Sequence, residues 1–462
     1  MTSRRQFLKT LTYGFVVTRL KPVFAENHKI VTYNLTAKKS KFSFKENFTS
    51  NVFLYNDLNP GPTIKGNVGD ILRVNFKNQL DEPTSIHWHG IKNINAMDGV
   101  PYLTQDPVQP GETFVYEFPF NHSGTYWYHA HFESWKQVAK GLYGPLVISN
   151  PKESIFENEI VILADDWRLN NNYEIDEKSF GSLMDWSHAG RIGNWLTING
   201  KKSPKYIIKN NALTRLRFIN ASNARVLKFG SSLKKLQIIG VDGMLVKPFF
   251  QENFTIAPGQ RIDISIVTNN DSEVNFFEIS QKQPLKAFKL EILKTNQISN
   301  KNNKKNYDFT PQNILPNTDN AKVIYIHMQG GAMGNLTKAK IDGIEKDFRS
   351  LATEDKKLWA FNQEIGSYEN LLVKVKRNEV IVFDVWNDSR WPHSMHLHGY
   401  HFYVRSNEFE NINDYLLRDT YLMQPGEKSK FIVLADNPGK WLFHCHMLEH
   451  AVSGMVGYIE VE

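Results

Sequence analysis

Ten of the fifteen histidines in this 462-residue chain fall in four short groups, one of which encloses its only cysteine. The groups are His87-Trp88-His89, His129-Ala130-His131, His393-Ser394-Met395-His396-Leu397-His398, and His444-Cys445-His446 followed by His450. Thiolate is a soft ligand that suits copper, and imidazole suits it equally well. The spacing His-x-His occurs four times, and on a β-strand a period of two aims both imidazoles at one face. His444-Cys445-His446 could thus hold a copper through sulfur on one face and touch two further metals on the other, an arrangement that works as an electron wire. Packing alone gives no reason to repeat the spacing. The five remaining histidines, His28, His122, His188, His327 and His401, stand alone and are expected to be core residues with satisfied hydrogen bonds.

Such alternation demands strands, and internal repetition says how they are arranged. Pro110-Gly111-Glu112-Thr113, Pro258-Gly259-Gln260-Arg261 and Pro425-Gly426-Glu427-Lys428 each precede an alternating, strand-like run, at separations of 148 and 167 residues. A run rich in β-branched residues, placed just before an Asn, also recurs three times: Leu72 to Asn78, Leu216 to Asn220, and Ile381 to Asn387. Frequent Gly, Pro and Asn turns between short alternating runs predict an all-β protein of consecutive sandwiches. The middle copy lacks the histidines. Where the first and third reach His-x-His it reads Val226-Leu227-Lys228-Phe229, and after its Pro-Gly element it reads Phe277-Glu278-Ile279-Ser280-Gln281. The ligands therefore come from the first and third copies. Borders are expected near Asn150-Pro151 and in the Asn-, Lys- and Gln-rich stretch from Asn296 to Asn320, a solvated, mobile linker.

The motifs His87-Trp88-His89-Gly90, Trp127-Tyr128-His129-Ala130-His131, His393 to Gly399 and His444 to Met455 stand in the order found in multicopper oxidases. The chain resembles that family, which includes laccases, copper-efflux oxidases and ferroxidases, over nearly its whole length. The resemblance implies three consecutive cupredoxin-like Greek-key β-sandwich domains, at 26–150, 151–296 and 321–462, with the linker at 297–320. It implies four coppers. A type 1 copper falls to His393, Cys445 and His450 with Met455 as weak axial ligand; His87 and His396 take a type 2 copper; His89, His129, His131, His398, His444 and His446 take a type 3 pair. A trigonal His₂Cys site with a long axial Met is the blue-copper geometry, and the axial Met argues for a moderate potential. Electrons are expected to enter at an exposed edge of His450 or His393 and cross Cys445 to the three-copper cluster, where dioxygen becomes two waters. Asp98, in Met97-Asp98-Gly99, matches a family proton-relay position and is equally an Asx-turn residue before Gly. Bacterial relatives often carry an acid after the last type 1 histidine; here Ala451 stands there, and Glu449 is expected to face elsewhere on an extended strand.

The net charge of +7 does not indicate a polyanion partner. Five of the 55 basic residues and no acid lie in residues 1–25, so the remainder carries 50 against 48, or +2. Those residues form a targeting segment: Ser3-Arg4-Arg5-Gln6-Phe7-Leu8-Lys9 is a twin-arginine signature, followed by an apolar run and a small-residue site at Val23-Phe24-Ala25. The run is too short to span a bilayer permanently. The expectation is a monomeric periplasmic enzyme exported by the twin-arginine translocation machinery, with no nucleic acid partner and no stable membrane insertion. A single cysteine excludes an intramolecular disulfide, so a metal is the natural partner for it. The ten methionines form no dense tract, with Met328, Met333 and Met395 expected mostly to pack in the core, which disfavours a dedicated cuprous oxidase. The favoured donor is phenolic or similarly small, as for a laccase. The alternatives are a metal ion oxidase acting on Fe(II), Cu(I) or Mn(II), and a non-catalytic copper-sequestering protein. A two-copper nitrite reductase shares the domain type but has no use for so many cluster histidines.

Overall fold

The structure, a computed structural model, describes residues 28–151, 155–268, 272–294, 314–410, 412 and 414–462. The twin-arginine segment at 1–25 and most of the linker at 297–320 lie outside the described residues.

Three units follow one another, and in each a long strand lies parallel to a second that runs antiparallel to a third. The pairings are Ile30–Lys45 with Ile71–Gln79 with Thr113–Pro119; Asn158–Trp167 with Leu213–Asn220 with Arg261–Val267; and Lys322–Gly330 with Val380–Asn387 with Lys428–Leu434. Each unit closes with a second sheet, of four, five and five strands respectively. The paired sheets are cupredoxin-like β-sandwiches. Burial on the facing surfaces builds one apolar core per sandwich, with smaller clusters between them.

The repeats recognised in the sequence are joined by the same hydrogen bonds in all three units. Asn220 and Asn387 end the middle strand and Asn78 lies one residue from its end, each fully buried. Each accepts, at its backbone carbonyl, the N–H of the Pro-Gly glycine: Gly111 at 2.8 Å, Gly259 at 3.0 Å and Gly426 at 2.8 Å. Each amide group then donates to two or more loop carbonyls, as Asn220 Nδ2 does to Arg225 and Ile256 at 2.8 Å. A buried amide so satisfied fixes the turn that launches the third strand. Among the described residues no helix is long and apolar enough to cross a membrane.

Candidate metal centre

Two hairpin-like pairings bring the four motifs together. In the first unit Ile86–His89 pairs antiparallel with Gly124–Ala130, setting His87 opposite His129. In the third unit His393–Leu397 pairs with Gly439–Cys445, setting His396 opposite His444 and Met395 opposite Cys445. Cross-strand partners share a face, so each pairing presents histidines on one surface. His131, His398 and His446 follow just beyond the strand ends. The two histidine faces meet: His87 stacks on His398 with ring centroids 3.8 Å apart, and His89 stacks on His396 at 3.8 Å. Eight imidazoles, none more than 3 % exposed, converge between the first and third units.

Their nitrogens are arranged as a ligand set requires. His87, His129 and His444 turn Nδ1 to the backbone carbonyls of Asp98, Ala130 and Cys445, each at 2.9 Å, and His396 turns Nδ1 to that of Asp419 at 2.8 Å. Those bonds leave Nε2 of each ring as the free acceptor. Nε2 of His398 faces Nε2 of His444 at 3.0 Å, and Nε2 of His446 faces that of His129 at 3.4 Å. Nε2 of His87 and His396, and Nδ1 of His89, His131 and His446, are buried with no hydrogen-bond partner. Buried polar atoms without partners are rare and costly. Three triads have ligand atoms within 4.8 Å of one another: His87, His89 and His396; His89, His129 and His446; His131, His398 and His444. Burial pushes the pKa of most of these imidazoles well below the usual histidine range, neighbouring imidazoles adding to the effect, and that of His444 down to about 4. They are neutral, with lone pairs available, which is the state a metal binds.

Cys445 points away from this face. Its Sγ lies 3.6 Å from Nδ1 of His393 and 3.8 Å from Nδ1 of His450, and those two nitrogens are 3.0 Å apart. A trigonal ion about 2.0 Å from nitrogen and about 2.3 Å from sulfur needs edges of roughly 3.5 and 3.7 Å; the two edges to Sγ match, and the 3.0 Å edge between the nitrogens has to open by about 0.5 Å to take one first-row metal ion. Burial pushes the Cys445 thiol up to about 12, so a metal has to displace its proton. The spacing from Cys445 to His450 works because the strand stops at Cys445 and residues Leu448–Val452 form a one-turn helix that folds His450 back. Met455 is fully buried in the core cluster around Cys445; its N–H is bound by the His450 carbonyl at 3.0 Å and its carbonyl accepts the Cys445 N–H at 3.1 Å.

Several expectations change. His393 and His450 have no exposed edge: both are fully buried, Nε2 of His393 facing Ser389 Oγ at 2.9 Å and Nε2 of His450 bonded to the His188 carbonyl at 2.7 Å. The cover comes from the central unit, whose helix Leu183–Ser187 and His188 pack on Trp391 and the Ala332 loop, a contact no local pattern announces. Glu449 is helical, not extended, and is buried with Oε1 accepting from Asn223 at 2.9 Å. Of the lone histidines, His28 and His122 are exposed and His188 and His327 half-buried, with polar partners at the surface for His28, His188 and His327; only His401 has a mostly buried ring. Asp98 makes no Asx turn: its carboxylate Oδ2 accepts from Nδ1 of His398 at 2.9 Å and Oδ1 lies 3.3 Å from Nδ1 of His87. Met328 and Met395 are core residues and Met333 is exposed.

Sequence reasoning missed Trp127, Trp359, Arg261 and Asp419. Trp127 lies two residues before His129, so the period of two already placed its ring on the cluster, 4.4 Å from His129 and 5.4 Å from His446. Trp359 covers His450 and His393 at 4.3 and 4.8 Å, with no motif to mark it. A cavity of about 320 Å³ opens onto the cluster at His131 and His444, walled by Trp135, Tyr368, Ala451 and Val456.

Known proteins carry the same organisation. Family models described as multicopper oxidase match residues 36–153, 158–297 and 344–462. A multicopper oxidase of Staphylococcus haemolyticus is 30% identical over 449 residues, covering 94% of this chain and 90% of its own. Laccase-1 of Cryptococcus neoformans is 26% identical over 499 residues, covering 91% of this chain and 78% of its own. A solved structure from Campylobacter jejuni, described as a multicopper oxidase and a metallo-oxidase, superposes with a TM-score of 0.78 at 26% identity, covering 95% of this chain and 93% of that one.

Proposed function

Because the chain belongs to the multicopper oxidase family, and is thus a copper-dependent oxidoreductase, we propose that it couples four one-electron oxidations of a small donor to reduction of dioxygen to two waters. The proposed ligands are His393, Cys445, His450 and axial Met455 for a type 1 copper, His87 and His396 for a type 2 copper, and His89, His129, His131, His398, His444 and His446 for a type 3 pair. When bound, copper supplies the one-electron redox steps and the site of oxygen reduction.

The observation that carries this reading is the single strand end that serves both centres. Cys445 Sγ faces His393 and His450, while His444, its neighbour in the chain, faces His398 at 3.0 Å. Two bonded residues thus connect the sites through the main chain. Trp359 and the cover from His188 keep water from the first site. At the second, Asp98 Oδ2 accepts from His398 Nδ1 and Oδ1, buried without a hydrogen-bond partner, lies 3.3 Å from His87 Nδ1, a position from which the carboxylate would relay protons to the cluster. The cavity at His131 and His444 is the proposed passage for dioxygen and water, with Ala451 leaving room where an acid is absent.

A phenolic or similarly small donor remains the favoured substrate, delivering electrons across the His188 cover. Oxidation of a metal ion is the second reading, supported by Met184, 65 % exposed, in the helix that leads to His188, and Met333, 70 % exposed, beside Ala332 of the same cover. Thioethers and imidazole are ligands for a soft cuprous ion. We place the enzyme in the periplasm on the strength of residues 1–25. Steady-state oxygen uptake with a phenol, Fe(II) and Cu(I), compared side by side on copper-loaded protein, tests the proposal. A fastest turnover with phenol supports the laccase-like reading, a fastest turnover with a metal ion the second, and no uptake with any donor leaves only copper sequestration.

A further inference from the structure

The central unit supplies no proposed copper ligand, yet one of its side chains reaches the edge of the cluster. Arg261, directly after the Pro258-Gly259 turn, is fully buried. Its Nε donates to the Thr125 carbonyl of the first unit at 3.0 Å and its Nη1 to the Gly259 carbonyl at 3.0 Å. Two parallel bonds, of 2.7 and 2.5 Å, run from Nη1 and Nη2 to Oδ1 and Oδ2 of Asp419 in the third unit. Gly90, the residue after His89, makes room: a Cβ there would lie 2.2 Å from Arg261 Nη2.

Asp419 in turn meets His89. Its Oδ1 takes the Thr420 hydroxyl at 2.8 Å and faces His89 Nε2 at 3.2 Å, while Thr420 Oγ1 faces the same nitrogen at 3.0 Å. Both carboxylate oxygens accept from the guanidinium in a bidentate pair, and Oδ1 turns a lone pair to His89. The Thr420 hydrogen is engaged by Asp419, so its oxygen also presents a lone pair. His89 Nε2 therefore meets acceptors alone and carries the ring hydrogen. Nδ1, buried and without a partner, is left as the free donor to the triad with His129 and His446. His87, His129, His396 and His444 are wired the other way, with Nδ1 on a carbonyl and Nε2 free.

We infer that Arg261 and Asp419 are positioning residues that fix the tautomer of His89 so that Nδ1 is its metal-binding atom, and that this is the central unit's contribution to the copper cluster. The inference rests on the copper assignment proposed above. Its physical basis is the control that hydrogen-bond partners exert over which imidazole nitrogen ligates and how the ring is turned. His89 stacks on His396, whose Nδ1 is held by the Asp419 carbonyl, so one residue sets two rings. The other titratable groups facing that carboxylate are His396 Nδ1 and His401 Nε2, each 3.6 Å away, and the buried Asp242, 3.7 Å from Arg261 Nη1.

The test compares wild-type holoprotein with Asp419→Asn, Arg261→Gln and the double variant. The readouts are copper per chain, the fraction of copper silent in electron paramagnetic resonance, the blue absorption band, and denaturant unfolding of the apoprotein. Asparagine offers one acceptor oxygen where Arg261, Thr420 and His89 all donate, so an N–H must face either Arg261 or His89. Asp419→Asn is expected to keep the blue band and lose the silent pair, with affinity for that copper down ~10–100-fold, the usual cost of removing such a partner. Arg261→Gln is expected to act in the same direction, and the double variant to be no worse than the poorer single one. A silent fraction equal to wild type in either folded variant overturns the inference. So does a loss of blue and silent copper in parallel with apoprotein stability, which marks a merely structural role. Wild-type protein that never shows silent copper refutes the copper assignment instead, and is told apart by failing before any variant is made.

Discussion

Three equivalent glycines allow the contact between the central unit and the histidine cluster to be measured against internal controls. Gly111, Gly259 and Gly426 occupy the same turn, with φ of +84°, +86° and +79°. Alanine in this left-handed region costs about 1–2 kcal/mol, offset by about 0.4–1 kcal/mol because the unfolded chain also loses freedom. Gly111→Ala and Gly426→Ala, with nothing within 4 Å of the new methyl, should each lose about 1 kcal/mol and load copper normally. At Gly259 the new methyl would lie 2.9 Å from His89 Cε1 and 3.0 and 3.1 Å from His446 Cγ and Cδ2. Carbon atoms in contact sit about 3.5–4.0 Å apart, so the rings must yield by roughly 0.5–1 Å, beyond the ~0.5 Å tolerance of a preorganised site. Overpacking adds about 1–3 kcal/mol, for a total of about 2–4 kcal/mol. Gly259→Ala should retain the blue band, since His393, Cys445 and His450 are not touched. It should also lose copper from the cluster and at least ~10-fold in oxygen uptake, a displacement of 1 Å being capable of ~100-fold. Denaturant unfolding of the three apoproteins, metal analysis and an oxygen electrode decide the matter. If Gly259→Ala matches the other two in stability, copper content and turnover, the turn does not abut the cluster as described.

Cys445→Ser should be colourless near the red end of the visible and inactive, whereas His396→Ala should stay blue and fail to reduce oxygen; absorption spectra and oxygen uptake check both, and an active Cys445→Ser or a colourless His396→Ala contradicts the division of ligands. Ala451→Phe should fill much of the cavity beside His131 and His444 and lower kcat/KM for dioxygen several-fold, leaving anaerobic reduction of the blue centre by donor unchanged; stopped-flow mixing separates the two half-reactions. Burial and the neighbouring Asp166 push the Asp165 carboxyl up to about 8. The folded protein therefore keeps a proton between about pH 4 and 8 that the unfolded chain has released, and stability falls as pH rises through that window, by at most about 1.4 kcal/mol per pH unit for one proton. Asp165→Asn should flatten this slope in apoprotein unfolding between pH 5 and 8, and parallel slopes for the two proteins would count against it.

The parts of the molecule legible in the sequence are those governed by local periodicity. His87 and His89, or His444 and His446, share a face because strand geometry leaves no choice, and the recurring Asn and Pro-Gly elements return as the same hydrogen bonds in three sandwiches. What escaped are contacts made between units. Arg261 and Asp419 are 158 residues apart and meet only because three sandwiches converge. The His188 carbonyl reaches His450 across 262 residues, so the burial of His393 and His450 has no local signature. The alternation before Glu449 runs on without a break signal and points to a strand there. The chain instead turns at Met447 so that His450 can return to Cys445. Lone histidines carry no period and so no information about depth.

The pairing of His129 with His446 across 317 residues, and of Asp98 with His398 across 300, has a consequence for when the metal can arrive. Among the described residues no early portion of the chain holds a complete ligand set: every candidate triad draws on at least one residue after His393. Among the described residues, a chain whose first and last sandwiches have not docked lacks every triad of the histidine cluster and keeps only the His393, Cys445 and His450 set of the last sandwich. Filling of the proposed cluster is therefore a check on the whole molecule, passed only by chains whose two ends have already found each other, whereas the cysteine site asks only that the last sandwich fold.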